Sequence, residues 1–249
     1  MSRNKVLILG GSSTVGLNLI HAMKNEDILY TYFNNVIPGG VKFNALSMSL
    51  DDICNLNEIK AAVILIGDTN PDSCFRNPFA SEKINVESIK KIITSLANHQ
   101  IKVIFSSSEH VYSGKTSNNK ESNADPTLLY GKQKIIIENY IKKYITKYTI
   151  LRLGKIYGTK VGDGTMFTSW YHEIKNGLND LKCADDQYFS PIHFNDISRV
   201  IKYVVHSKTQ GIFNLGGPLN ASRLDFLQIF LDEYGNNDLN INTCSIDSF

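Results

Sequence analysis

Residues 5–16 read KVLILGGSSTVG. Lys5–Leu9 is dominated by Val, Leu and Ile, the pattern of a central parallel strand covered on both faces. Apolar residues then recur at Val15, Leu19, Ile20 and Met23, a helical spacing. Between them lies the turn Gly10-Gly11-Ser12-Ser13-Thr14-Val15-Gly16. Gly10 suits a tight turn with unusual backbone angles, and Gly16 lets the helix approach the sheet closely. A helix that starts here presents free N–H groups and a partial positive charge to a pyrophosphate. The unit predicts a dinucleotide-binding turn with Gly10, Ser12, Ser13, Thr14, Val15 and Gly16 as its contacts. A plain strand–turn–helix without a ligand is the simpler alternative, which glycine spacing alone does not exclude.

The alternation continues outward from this unit. Strands are expected at 28–33, 41–43, 61–66, 101–105 and 149–153, and helical stretches at 51–59, 82–96 and 130–145, with a polar loop over 113–127. Such repetition predicts an α/β fold of Rossmann type, a doubly wound parallel sheet with right-handed crossovers. Past residue 154 the pattern loosens, with helices at 165–176, 195–206 and 222–233 and a strand at 211–215. Residues 1–153 are therefore expected to form the dinucleotide-binding domain carrying the catalytic residues. Residues 154–249 would hold the remaining sheet elements and a small C-terminal substrate lobe, as a single structural unit. The ligand crevice of such sheets lies at their carboxyl edge.

The 249 residues are 42% hydrophobic and 20% charged, an ordinary soluble balance. A net charge of +2 argues against nucleic acid or an anionic membrane as partner. No apolar run reaches the length of a membrane span. The first apolar run enters the glycine turn without a small-residue cleavage site, so it is taken as a strand and not as a signal segment. Cysteines stand at 54, 74, 183 and 244, without a CxxC pair or a histidine at ligand spacing. Reduced thiols, no metal and a cytoplasmic setting are the expectation.

The end of the second strand, Tyr30-Thr31-Tyr32-Phe33-Asn34-Asn35, carries neither the acid that binds a ribose 2′-hydroxyl nor an arginine. NADP(H) is favoured, with NAD(H) as the alternative, and Asn34, Ser12 and Lys42 are the groups nearest that choice.

Tyr130-Gly131-Lys132-Gln133-Lys134 is a YxxxK spacing, which puts the phenol and the ammonium on one helix face. A phenol titrates near 10, and a lysine cation beside it is expected to lower that value. The pair is common by chance. Here it follows Ser106-Ser107-Ser108, after the strand IKVIF, and a hydroxyl at a strand's carboxyl end can polarise a substrate oxygen. His110 follows closely and could face a substrate. His193, Asn195 and Asp196 look like a helix start. Trp170 is expected either to stack on a base or to pack between helix and sheet.

The order GGSSTVG, IFSSSEHVYSG, LLYGKQK, ILRLGKIYG resembles the extended short-chain dehydrogenase/reductase family. TYFNN, ADPTLLYGKQKIIIE, YFSPIHFNDISRVI and GIFNLGGPLNASRLDFL are similar to its dTDP-4-dehydrorhamnose reductase branch. The resemblance implies an NAD(P)-dependent reductase of a 4-keto sugar nucleotide, with Ser108, Tyr130 and Lys134 as catalytic residues. It implies cofactor contacts at Asn44, Ala45, Ile66, Gly67, Thr69, Asn85 and Ile156, and substrate contacts at Glu109, His110, Val111 and Lys155. It also suggests a homodimer. Ser13 replaces the family's middle glycine, Lys155 stands where the branch commonly has tryptophan, and the chain ends some residues before relatives do. Two other functions fit the same residues: a nucleotide-sugar epimerase or dehydratase with tightly held NAD, and a non-catalytic NADP-binding regulatory subunit.

Overall fold

Val6, Leu7, Ile8 and Leu9 are completely buried, as a strand with both faces covered requires. They form β1 (Lys5–Leu9), the fifth strand along a seven-stranded sheet. The computed structural model describes residues 3–114, 120–121, 123–235 and 239–248; part of the expected 113–127 loop lies outside them.

From β1 the glycine turn leads into α1 (Thr14–Ala22), then β2 (Ile28–Tyr32) and β3 (Val41–Lys42). β4 (Ile59–Ile64) is followed by α2 (Pro71–Arg76), α3 (Pro78–Glu82), a π-helical turn over Lys83–Glu87 and α4 (Ser88–Asn98). β5 (Lys102–Ser108), α5 (Leu129–Tyr144) and β6 (Tyr148–Leu153) come next. The chain leaves the sheet for β7 (Ile156–Tyr157), α6 (Met166–Lys175), β8 (Asp180–Ala184), β9 (Tyr188–Phe189) and β10 (Ile192–His193). It returns for α7 (Phe194–His206) and β11 (Gly211–Leu215), then makes β12 (Ala221–Ser222), α8 (Arg223–Tyr234) and β13 (Asn240–Cys244).

The sheet order is β11-β6-β5-β4-β1-β2-β3, parallel throughout. Strand order reverses between β2 and β4, on either side of β1. That reversal opens a crevice at the carboxyl end, above the glycine turn. Leu7, Leu9, Ile64, Val103 and Phe105 share one core with Ile89, Ile93 and Leu96 of α4 and Ile137 and Ile141 of α5. Each such side chain contributes roughly 1.5–3 kcal/mol on burial.

Three local expectations are corrected. Residues 51–59 are not a helix: they hold 3-10 turns at Leu50–Asp52 and Leu56–Glu58, and Ile59 already begins β4. Asp52 Oδ2 accepts from Ser49 N and Asn55 Oδ1 from Asn57 N, so side chains take backbone donors that a helix would use. The helix of 82–96 is broken by the π turn and preceded by two short helices that hydrophobic periodicity did not reveal. Asn70 caps Asp72 N and Ser73 N with Pro71 at the first position, and Pro78 opens the next helix. The strand after 101 runs through Ser108, because Ser106, Ser107 and Ser108 pair with Leu151, Arg152 and Leu153.

By backbone contacts the chain divides into two units, 1–153 with 195–215, and 154–194 with 216–249. The expected 154–249 unit is thus interrupted, because β11 pairs with β6 along its whole length. The second unit has its own core of Met166, Trp170, Ile174, Cys183, Phe189, Phe226, Leu227 and Leu231. Trp170 is buried there, edge-on to Phe167. β8 pairs with β13, β7 with β10 and β9 with β12. Among the described residues no helix is long and apolar enough to cross a membrane. Cys74 and Cys183 are buried, Cys54 and Cys244 half-buried, and none is in a disulfide.

Candidate active site

The glycine turn is wedged against neighbouring backbone. Gly10 has φ +90°, and its N–H donates to Thr31 Oγ1 at 3.1 Å. Gly11 N donates to Thr31 O at 2.8 Å, which ties the turn to β2. A Cβ on Gly16 would lie 2.5 Å from the Gly10 carbonyl oxygen, so only glycine permits this approach of helix to turn. Ser13 needs no left-handed backbone, having φ −71°. Its Oγ accepts from Gly16 N at 3.1 Å and donates to Gly10 O at 2.8 Å, so the serine caps α1. Thr14 and Val15 occupy the first turn of α1, where backbone N–H groups have no partner within the helix. This strand–turn–helix fits a dinucleotide pyrophosphate.

The other expected cofactor residues, Ile156 excepted, belong to this same unit. Asn34 is exposed beyond β2, and Lys42, exposed on β3, pairs with Tyr32. Asn44 Oδ1 accepts from Leu46 N, and Ala45 is buried. Ile66, Gly67 and Thr69 follow β4. Gly67 has φ +152°, and a Cβ there would lie 2.8 Å from Asn85 Oδ1. Asn85 binds the same segment, accepting from Asp68 N at 2.8 Å and donating to Asp68 O at 3.0 Å.

Ser108, Tyr130 and Lys134 come together. Ser108 ends β5, its Oγ accepts from His110 N at 3.3 Å, and its hydroxyl favours the ionised form of the Tyr130 phenol. Lys134 Nζ donates to Ser106 O at 3.0 Å and stands 5.5 Å from the centroid of the Tyr130 ring. Gly131 makes the arrangement possible. A Cβ there would lie 2.0 Å from His110 O, so its absence lets α5 press against the 109–111 turn. His110 stands edge-on to Tyr130 at 5.8 Å. Glu109 is half-buried beside it, whereas Val111 is fully buried and its side chain belongs to the core. Lys155 and Ile156 lie in the second unit, where Lys155 O accepts from Ile192 N at 2.8 Å.

Burial sets the electrostatics. It pushes the Tyr130 phenol above its ordinary value, Cys74 and Asp68 add to the rise, and the Ser108 hydrogen bond opposes it. The expected lowering by the lysine cation is therefore overridden: the phenol is held protonated, as a proton donor must be. Lys134 is pulled down to about 8 by desolvation, against the pull of Glu138 and Cys74 toward the charged form.

Several residues of this site escaped sequence reasoning. Gln133, 1% exposed, accepts from Asn85 Nδ2 and donates to Ser81 Oγ. Glu138 and Arg152 form a buried bidentate pair, Nε–Oε1 3.0 Å and Nη2–Oε2 2.6 Å. Ser107 Oγ donates to Glu138 Oε1, and Arg152 Nη1 reaches Tyr112 OH. Glu138 lies on the same helix face as Lys134, four residues on, and this spacing was the available signal. Cys74 had none, because it lies on α2, a helix that periodicity did not reveal, and Asp68 lies in the segment between β4 and α2. Among the described residues no group of three His, Cys, Asp or Glu side chains could hold a metal ion.

The chain matches the model of the RmlD substrate binding domain over residues 4–249. It is similar in fold to a hypothetical dTDP-4-dehydrorhamnose reductase from Sulfolobus tokodaii, with TM-score 0.86, 20% identity, and coverage of 96% of this chain and 85% of that one. The dTDP-4-dehydrorhamnose reductase of Bacillus anthracis in complex with NADP gives 0.82 at 16% identity, covering 99% and 86%. A UDP-N-acetylglucosamine 4-epimerase from Methanobrevibacter ruminantium, in complex with UDP-N-acetylmuramic acid, gives 0.84 at 18%, covering 98% and 86%.

Proposed function

The chain belongs to the RmlD substrate binding domain family of NAD(P)-dependent short-chain dehydrogenases/reductases, and on that premise we propose that it reduces a 4-keto sugar nucleotide, using NADP(H) in preference to NAD(H). The observation that carries the reading is the convergence of the Tyr130 phenol, held protonated by burial, with Ser108 at the end of β5 and with the Lys134 ammonium 5.5 Å from the phenol ring centroid. A bound nicotinamide supplies the hydride. Ser108 holds the ketone oxygen by its hydroxyl, and Tyr130 delivers the proton to that oxygen as negative charge develops on it. Lys134, anchored on Ser106 O, directs its remaining donors to the nicotinamide ribose. Ile66, Gly67 and Thr69 floor the ribose, and Asn44 and Ala45 flank the adenine.

The NADP(H) preference rests on Asn34 and Asn35, which offer no carboxylate to repel a 2′-phosphate, and on Lys42 nearby. Glu109, His110 and Lys155 are assigned to the sugar nucleotide, and Ile156 to the cofactor. A cytoplasmic homodimer completes the proposal.

The test is NADPH oxidation with a panel of 4-keto sugar nucleotides. Tyr130→Phe is expected to lower kcat by about 10²–10⁴-fold with little change in NADP affinity. A Phe variant as fast as the parent would refute the assignment. NAD retained through purification would instead favour the epimerase or dehydratase function.

A further inference from the structure

We propose that Gln133 is the positioning residue that locks α5, with Tyr130 and Lys134 on it, to the loop after β4. The inference rests on the dinucleotide reading above.

The YxxxK spacing asks nothing of position 133, yet Gln133 is 1% exposed and both ends of its amide are used. Oε1 accepts from Asn85 Nδ2 at 2.8 Å, and Nε2 donates to Ser81 Oγ at 2.8 Å. Ser81 lies on α3 and Asn85 sits in the π turn, a distortion that recurs at functional positions. Asn85 in turn grips both backbone groups of Asp68. One chain of hydrogen bonds therefore runs from the catalytic helix to the segment carrying Gly67 and Thr69. Filling this volume would need only an apolar side chain. An amide with both ends paired in a dry interior does more: α5 cannot turn or slide without leaving polar groups unpaired. The lock sets Lys134 and Tyr130 against the nicotinamide-ribose half of the cofactor and has no bearing on the adenosine half.

The experiment is calorimetric titration of the full chain with NADP and with 2′-phospho-ADP-ribose, which lacks nicotinamide; if the parent prefers NAD, then NAD and ADP-ribose replace them. Gln133→Leu is expected to weaken NADP binding about tenfold and to leave the second probe unchanged. Equal losses for both probes, or none for either, overturn the proposal. Gln133→Glu supplies a second arm should the Leu variant not fold. A neutral carboxyl can accept from Asn85 and donate to Ser81, whereas its anion cannot donate. Its NADP affinity relative to the parent should be close to unity near about pH 6 and fall by about pH 8.5. A ratio flat with pH overturns the lock. A parent chain that binds neither NADP nor NAD overturns the dinucleotide reading instead, and the two failures are thereby distinguished.

Discussion

At the carboxyl end of β1 the groups proposed to meet a ligand are backbone atoms, and the side chains matter chiefly by being absent. Gly16 must lack a Cβ because the Gly10 carbonyl would be 2.5 Å away. At the carboxyl end of β5 the proposed working groups are side chains, Ser108, Tyr130 and Lys134, set among further buried polar side chains. Behind them Glu138 and Arg152 are almost fully enclosed, and Ser107 bridges to the pair. The first region is defined locally, by one turn and the strand it touches. The second draws on β5, β6, α3, the π turn and α5 together. Backbone sites are therefore robust to most substitutions and intolerant at glycine, whereas side-chain sites depend on every member of a desolvated network.

The largest effect should come from breaking the side-chain region. Arg152→Met leaves Glu138 buried and uncompensated, and is expected to cost about 3–5 kcal/mol in denaturant unfolding. A companion Glu138→Leu should recover much of this, and a loss under ~1 kcal/mol for Arg152→Met alone would mean the pair is not desolvated as described.

A smaller effect is expected in the backbone region. Gly16→Ala forces α1 from the turn at a cost of about 1–3 kcal/mol, with loss of dinucleotide binding. Thermal melting and an NADP titration check both parts, and unaltered binding would make the close approach dispensable.

The smallest effect sharpens the comparison through pH. Burial lowers Lys134 to about 8, so the folded chain releases this proton before the unfolded chain does. Between about 8 and the ordinary lysine value of 10.5 the unfolded state binds more protons, and this residue's contribution to stability rises with pH. Lys134→Met should abolish that rise. Binding that needs the cation moves the other way, weakening by about tenfold for each pH unit above the lysine pKa. A wild-type NADP affinity constant from pH 7 to pH 10 would remove Lys134 from the ribose.

Much of the first region could be read from residues 5–16 alone, because a buried strand, a glycine turn and a helix start are local patterns. The Tyr130–Lys134 spacing and the serines were legible too, though Ser106–Ser108 proved to be strand and not loop. Residues 51–59 misled because their apolar spacing suited a helix while Asp52 and Asn55 spent their side chains on local backbone donors. Helices α2 and α3 are set by Asn70, Pro71 and Pro78 and not by hydrophobic period, so Ser81 and Cys74 were not seen as neighbours of the site.

By itself the sequence determined the order of elements, the parallel sheet, the glycine turn and the pair of residues one helical turn apart, all of which follow from local sterics and periodic burial. Only the tertiary structure decided that Gln133 and Asn85 meet across 48 residues, that Glu138 meets Arg152, and that Tyr130 holds its proton. Those outcomes depend on desolvation and on contacts between distant segments, quantities that exist only once the chain has packed.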